Sequence, residues 1–261
     1  MSIYLPPSAR HFEPKWTKIS AWLDHVPFGY DLVAAVKPKC LVELGTHRGV
    51  SYFTFCQSIK ENALDTICYA VDTWEGDDHA SMTEEYAKSD YQMVLQYNQN
   101  HYRGFSYLLK MLFSEALKTF ADESVDLLHI DGFHTYEAVS EDFNSWWPKV
   151  KPGGIVLLHD IVARISSDFG VWKFWSEISE KYESFGFTNG FGLGVIRKPG
   201  SDPESNELLD LLFKSSPEEQ EKIRGFYIHI VKMIDLQRRV QSLDRRLNTG
   251  VIQRAFSIFQ K

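Results

Sequence analysis

Residues 127–160 read LLHIDGFHTYEAVSEDFNSWWPKVKPGGIVLLHD, and the fold is decided there. Two apolar runs, VDLLHID (125–131) and GGIVLLHD (153–160), each end in an acid beside a histidine, and a helix-length amphipathic segment closed by Pro152-Gly153-Gly154 lies between them. This is a β-α-β pattern. Strands of a parallel sheet are covered on both faces, so they read as near-continuous apolar runs, and their carboxyl ends open onto the crevice where ligands bind. Asp131, His134, His159 and Asp160 are therefore expected on one rim, although the sequence separates them widely. Two carboxylates and two imidazoles in one place have metal-ligand and acid–base chemistry within reach. Taken singly, an acid at a strand end is often just the cap of the next helix; the same pairing at two strand ends makes the functional reading the stronger one.

Composition narrows the classes. The 261 residues, 44% hydrophobic, suffice for one large α/β domain with an appendage. A net charge of −7 gives no basic footprint for nucleic acid. The first residues, MSIYLPPSARHFEPKW, lack a basic stretch followed by an apolar core, and nothing reaches the roughly 18 apolar residues of a membrane span, so a cytoplasmic protein is expected. Cys40, Cys56 and Cys68 lie in or beside apolar segments without paired spacing and read as reduced core residues.

Outward from the central stretch, residues 1–36 form an N-terminal segment, Pro-rich at first. From Trp16 to Val36 it is helix-spaced, with a break expected near Pro27 and Gly29, and reads as a lid or entry segment packed beside the domain, its aromatics serving as core more than as pocket lining. A first strand, Cys40 to Leu44, meets the turn Gly45-Thr46-His47-Arg48-Gly49-Val50-Ser51 and a helix running through Ile59. Glycines allow close backbone approach and a helix start offers free N–H groups, which suits a nucleotide-type ligand. The spacing ExGxxxGxS is neither the GxGxxG dinucleotide fingerprint nor a triphosphate loop. The second strand, Thr66 to Val71, ends in Asp72-Thr73-Trp74, and an acid there, somewhat over 20 residues past the glycines, is placed to accept from a ribose diol.

These motifs resemble those of class I S-adenosylmethionine-dependent methyltransferases. The resemblance implies a doubly wound, mostly parallel, seven-stranded Rossmann-like α/β sheet with an antiparallel last strand over Leu193 to Arg197. It places the cofactor against Glu43, Gly45, Thr46, Gly49, Ser51, Asp72, Thr73, Trp74 and Asp131, with Trp74 flanking the adenine and Ser114 at its edge unless Ser114 caps the helix that follows. Residues 107–113 supply a short third strand or the start of that helix, and residues 76–103 a polar, helix-prone cover.

The pattern DGxH, a Trp-containing helix, KPGG and HD is most similar to a metal-assisted subgroup that includes macrolide-sugar O-methyltransferases and domains encoded with glycan-building enzymes. That likeness implies transfer of a methyl group to a sugar or glycan hydroxyl in polysaccharide biosynthesis, with His134 as general base and Asp131 and Asp160 holding a divalent metal, magnesium or manganese. His159 stands where the subgroup has Glu. It is then a metal ligand to something softer than magnesium, or an acid–base or supporting group, or no metal binds. A catechol-type enzyme is disfavoured because Ile161 follows the second acid where that group has Asn; a cofactor-binding scaffold recruiting a glycan-assembly partner is the non-catalytic reading.

Residues 37–198 thus form the methyltransferase domain. Trp172, Trp175 and Ile178 share a stripe of a later helix, as core or as a sugar-stacking platform. Residues 199–222 read as a linker with a helix from Glu204 to Phe213. In 223–261, Phe226, Met233, Leu236, Val240, Leu243 and Leu247 keep a heptad spacing with His229 on the seam, which predicts a short coiled coil and a homo-oligomer, or a helix docked on a partner.

Overall fold

The computed structural model describes residues 5–76, 84–200 and 206–259, with the side chains of 11, 84–87 and 245–259 excepted. A single turn, α1 (Ser8–His11), is followed by a 3-10 turn (Ala21–His25) that runs into α2 (Val26–Val36). Then β1 (Cys40–Leu44), α3 (Val50–Glu61), β2 (Ile67–Asp72), α4 (Glu84–His101) and β3 (Ser106–Lys110) build the first half of a sheet. After the short α5 (Phe113–Ala116) come β4 (Val125–Ile130), α6 (Tyr136–Trp146), β5 (Val150–His159), α7 (Val171–Ile178), β6 (Glu183–Phe187) and β7 (Leu193–Arg197); α8 (Glu207–Phe213) and α9 (Pro217–Phe259) follow.

The seven strands stand in the order β3-β2-β1-β4-β5-β7-β6, parallel except that β7 runs antiparallel to both its neighbours. The order reverses between β1 and β4, and at such a reversal the loops leaving the strand ends part and leave a crevice. The registers Leu41–Leu127 and Leu44–Ile130 bring the end of β1 level with the end of β4. Apolar side chains alternate along the strands into a core on each face. One core holds Trp22, Phe28, Leu41, Phe55, Cys68 and Leu157, and the other Val42, Leu44, Leu128, Val139, Phe143 and Trp146.

Several sequence expectations change. Pro27 begins α2 instead of breaking it: a first-turn position has no intrahelical N–H bond to lose. Gly29 is needed for packing, since a Cβ there would lie 2.6 Å from the Trp22 ring. The N-terminal segment packs beside the domain with its aromatics as core: Trp22, Val26, Phe28 and Leu32 are each at most 1% exposed. The expected linker also packs, because α8 buries Leu208, Leu209 and Leu212, and α9 adds Tyr227 and Ile230 to the same core. The third strand ends at Lys110, so Phe113 opens α5, and Leu112 takes the capping position where Ser114 was expected. In α7 the core stripe is Val171, Phe174 and Ile178; Trp172 is half-buried beneath Arg164, 4.3 Å from its ring. Among the described residues, no helix is long and apolar enough to cross a membrane.

Candidate functional site

The crevice between β1 and β4 is closed at its floor by backbone. Gly45 has φ +85°, and a Cβ there would fall 2.0 Å from the Asp131 carbonyl oxygen, so only glycine lets the two loops meet. Gly45 N–H donates to Val71 O (2.9 Å) and Asp131 N–H to Leu44 O (2.8 Å), which carries the ladder past the strand ends.

Asp72 organises the loop above. Its Oδ2 accepts from the backbone N–H of Thr46 and of His47, both at 2.8 Å, and its Oδ1 accepts from Trp74 N–H at 2.7 Å. The Trp74 indole N–H returns to His47 O at 2.9 Å, and the indole packs on Tyr91 with centroids 4.9 Å apart. Arg48 donates to Asp90 at 3.0 Å, and Trp16 donates to Arg48 O at 2.7 Å, so α4 and the N-terminal segment hold the same loop.

A cavity of about 270 Å³ opens beside this loop, lined among others by Gly45, His47, Asp72, Thr73, Trp74 and Asp90 at one end and by Phe113, Asp131, Phe133 and His134 at the other. Six residues expected from the sequence, Gly45, Asp72, Thr73, Trp74, Asp131 and His134, therefore share it. Others do not reach it. Glu43 is fully buried beneath the loop, its Oε2 accepting from His129 Nδ1 at 2.8 Å, and burial raises its pKa against that bond. Ser51 is buried in α3 and hydrogen-bonds Glu43. Thr46 contributes its backbone N–H, with its hydroxyl buried, and Gly49, at φ +75°, caps α3. Ser114 is exposed, and Leu112 and Phe113 stand at the cavity in its place.

At the cavity's inner end the acids and histidines do converge. Donor atoms of Asp131, His134 and Asp160 all lie within 4.8 Å of one another. His134 Nε2 is 2.9 Å from Asp160 Oδ2, and its ring stacks on Phe169 at 4.6 Å and 9°. His159 sits behind this group. Its Nδ1 is 3.2 Å from Asp131 and 3.3 Å from Asp160, while its Nε2 lies 3.1 Å from Gly190 O. Carboxylates and a carbonyl only accept, so both nitrogens of His159 carry hydrogen and the ring is an imidazolium. Burial opposes that charge, but the two carboxylates outweigh it and push the pKa up to about 10. In turn, burial would raise Asp131 and Asp160, yet His159 holds Asp131 below the usual range and His134 and His159 hold Asp160 below it.

Of the roles the sequence leaves open for His159, this geometry fits the supporting one. With both nitrogens committed to protein acceptors it offers no lone pair to a metal or to an incoming proton. His134 takes the place in the ligand-distance group that the sequence reading gave to His159. The two carboxylates, with His134 beside them, suit a hard divalent cation such as magnesium or manganese.

The histidines farther back are absent from the sequence reading. His25 Nε2 donates to the same Gly190 O at 3.1 Å, and burial first, then the charge on His159, pull its pKa down to about 3. Trp22 donates its indole N–H to His129 Nε2 at 3.1 Å, which fixes the His129 proton on Nδ1, toward Glu43. The one sequence signal was a histidine, His129, inside an apolar strand run, two residues before Asp131 and so on the same face.

Residues 42–161 match the family described as a methyltransferase domain. The strand order, with β7 antiparallel to its neighbours, agrees with that match. The chain is also 46% identical over 192 residues to the uncharacterized protein y4gI of Sinorhizobium fredii, a match covering 74% of this chain and 20% of that protein, so it spans about a fifth of that relative's length. Among solved structures it resembles one from Staphylococcus aureus assigned as a caffeoyl-CoA O-methyltransferase (TM-score 0.52, 16% identity, 70% of this chain and 85% of that one). Cofactor-bound Rv0187 from MTB is similar in fold at TM-score 0.50 and 12% identity, over 72% of this chain and 84% of that one.

Proposed function

We propose that this domain transfers the sulfonium methyl group of S-adenosylmethionine to a hydroxyl oxygen, with a sugar or glycan hydroxyl as the acceptor. The observation that carries the reading is the shared cavity: the loop shaped by Asp72 lines the same space as Asp131 and His134, with Asp160 buried within ligand distance of both. In the step, the carbon–sulfur bond breaks as the oxygen–carbon bond forms, S-adenosylhomocysteine is released, and the hydroxyl proton goes to the His134 imidazole. The Asp160 carboxylate, 2.9 Å from His134 Nε2, accepts from that nitrogen and holds the resulting imidazolium. Stacking on Phe169 fixes the ring plane, so the base is oriented before the acceptor arrives. His159 holds Asp131 and Asp160 in their charged form. Asp131 and Asp160 are the residues that would hold a divalent cation, leaving His134 to the proton; such an ion supplies a lowered pKa for a hydroxyl it touches.

An aromatic hydroxyl is the second reading, and one observation favours it. Phe133, beside His134, lines the cavity and is 48% exposed. A bare sugar leaves that ring unused, and an aryl or acyl group covers it.

The test is transfer of labelled methyl from the cofactor to matched panels of sugar and aromatic hydroxyls, with and without divalent metal. His134→Ala should bind S-adenosylhomocysteine, and manganese by titration, much as the parent does, while losing about 10²–10⁴-fold in turnover. Normal turnover by that variant refutes the base; no transfer to any acceptor under either condition favours the scaffold.

A further inference from the structure

The methyl-transfer site leaves α9 unused, and the two parts of that helix differ. Over 43 residues it is about 64 Å long at 1.5 Å per residue. Its first turns belong to the domain, with Tyr227 and Ile230 buried and Ile223, Phe226 and Ile234 packed against the same core. Beyond them the helix presents apolar residues to solvent: Met233, Leu236, Val240 and Leu243 are 43%, 55%, 50% and 58% exposed. Their spacing is three, four, three, and Leu247 extends it by four in the sequence. This is the alternation of a coiled-coil seam, with Met233, Val240 and Leu247 at one core position and Leu236 and Leu243 at the other.

The flanking charges select the partner. The position before each of Met233, Val240 and Leu247 is basic: Lys232, Arg239 and Arg246. The position after each of Leu236 and Leu243 is Gln237 and Asp244. Two helices running the same way in register bring Arg239 of one copy against Asp244 of the other, twice by symmetry, and Lys232 against Gln237. Two copies running oppositely would instead align the basic row with itself. A branched Val240 at the first core position with leucines at the second favours two strands over three. The exposed Arg239 now pairs within the helix with Asp235 at 2.9 Å, a solvent-accessible contact that leaves it able to turn.

We propose that the solvent-facing stripe of α9 is the seam of a parallel, in-register homodimer, closed by Arg239–Asp244 pairs between copies. The domain already holds the start of α9 in helical form, so two heptads of seam need not nucleate a helix of their own. Dimerisation is concentration-dependent, since the seam is short. The assignment is independent of the reaction at the cavity.

The experiment uses the full chain. Sedimentation equilibrium across a thousandfold concentration range should give a monomer–dimer fit. Leu236→Glu should leave only monomer, with an unchanged circular dichroism spectrum showing that the domain stays folded. Arg239→Glu should weaken the dimer at least threefold, and adding Asp244→Arg should restore it. Leu236→Cys and Leu243→Cys, tested singly against the parent chain, should each form a disulfide-linked dimer on mild oxidation; opposed helices can bring at most one of those positions to its own copy. A chain that stays monomeric throughout, a trimer, a crosslink at only one of the two positions, or no rescue by the charge swap overturns the proposal.

Discussion

Replacing Asp72 by Asn separates two jobs that one carboxylate can hold. It bonds three backbone N–H groups, Thr46 and His47 at 2.8 Å and Trp74 at 2.7 Å, and it lines the cavity that the proposed function gives to the cofactor. Hydrogen bonds to a charged acceptor contribute about 1.5–3 kcal/mol each, roughly twice a neutral one. The Asn oxygen can keep the Thr46 and His47 contacts at reduced strength, but its amide nitrogen then faces the Trp74 N–H, donor against donor. Trp74 is 3% exposed, so water replaces that bond poorly. The loss of unfolding free energy in the cofactor-free protein should be on the order of 3 kcal/mol. Because the loop must then be ordered at binding, affinity for S-adenosylhomocysteine should fall by about 10²-fold, equivalent to roughly 2.8 kcal/mol. Urea denaturation without cofactor and calorimetric titration with it give the two numbers. If the variant unfolds like the parent and only affinity drops, Asp72 serves the ribose alone and the loop-shaping argument fails.

Two further expectations concern the frame of the site. Asp31 is fully buried, accepting from Ser8 and hydrogen-bonded to Tyr227, and burial raises its pKa from 3.8 to about 7. A raised carboxyl stabilises the fold below pH 4 and loses that contribution as pH climbs through 7. The unfolding free energy of the parent relative to Asp31→Asn should therefore fall by roughly 4 kcal/mol over that window, as read by denaturation at stepped pH; a constant difference would contradict it. Gly45→Ala puts a Cβ 2.0 Å from the Asp131 carbonyl at φ +85°, and should cost about 2 kcal/mol or more while weakening cofactor binding. An alanine variant with parent-like affinity would show that the two loops need not touch.

The sheet was legible wherever apolar runs stop at turn residues. Cys40–Leu44 and Leu193–Arg197 are strands at those bounds, and β2 is shifted by one residue. Misread pieces depend on context that local pattern does not carry. Pro27 looks like a breaker until the preceding turn makes it a first-turn residue. The expected linker is apolar on one side, and only the assembled core shows what Leu208 and Leu212 cover. At the site, the rule that parallel strands end on one rim brought Asp131, His134 and Asp160 together. Which histidine faces the cavity was beyond it, because His159 is turned by Gly190, 31 residues away. The His129–Glu43 and Trp22–His129 bonds span 86 and 107 positions, distances at which a sequence carries no periodic signal.

The packing of the N-terminal segment and of α8 against the sheet bears on how this protein can be dissected. The span that matches the methyltransferase family, 42–161, stops before β6 and β7 and begins after Trp22 and Phe28, which fill the core under β1 and β4. Cut to that span, the polypeptide would leave β5 as a bare sheet edge and an oily underside open to water, an invitation to aggregate. Expression boundaries and domain grafts should therefore keep everything from Ser8, which bonds Asp31, through Ile230.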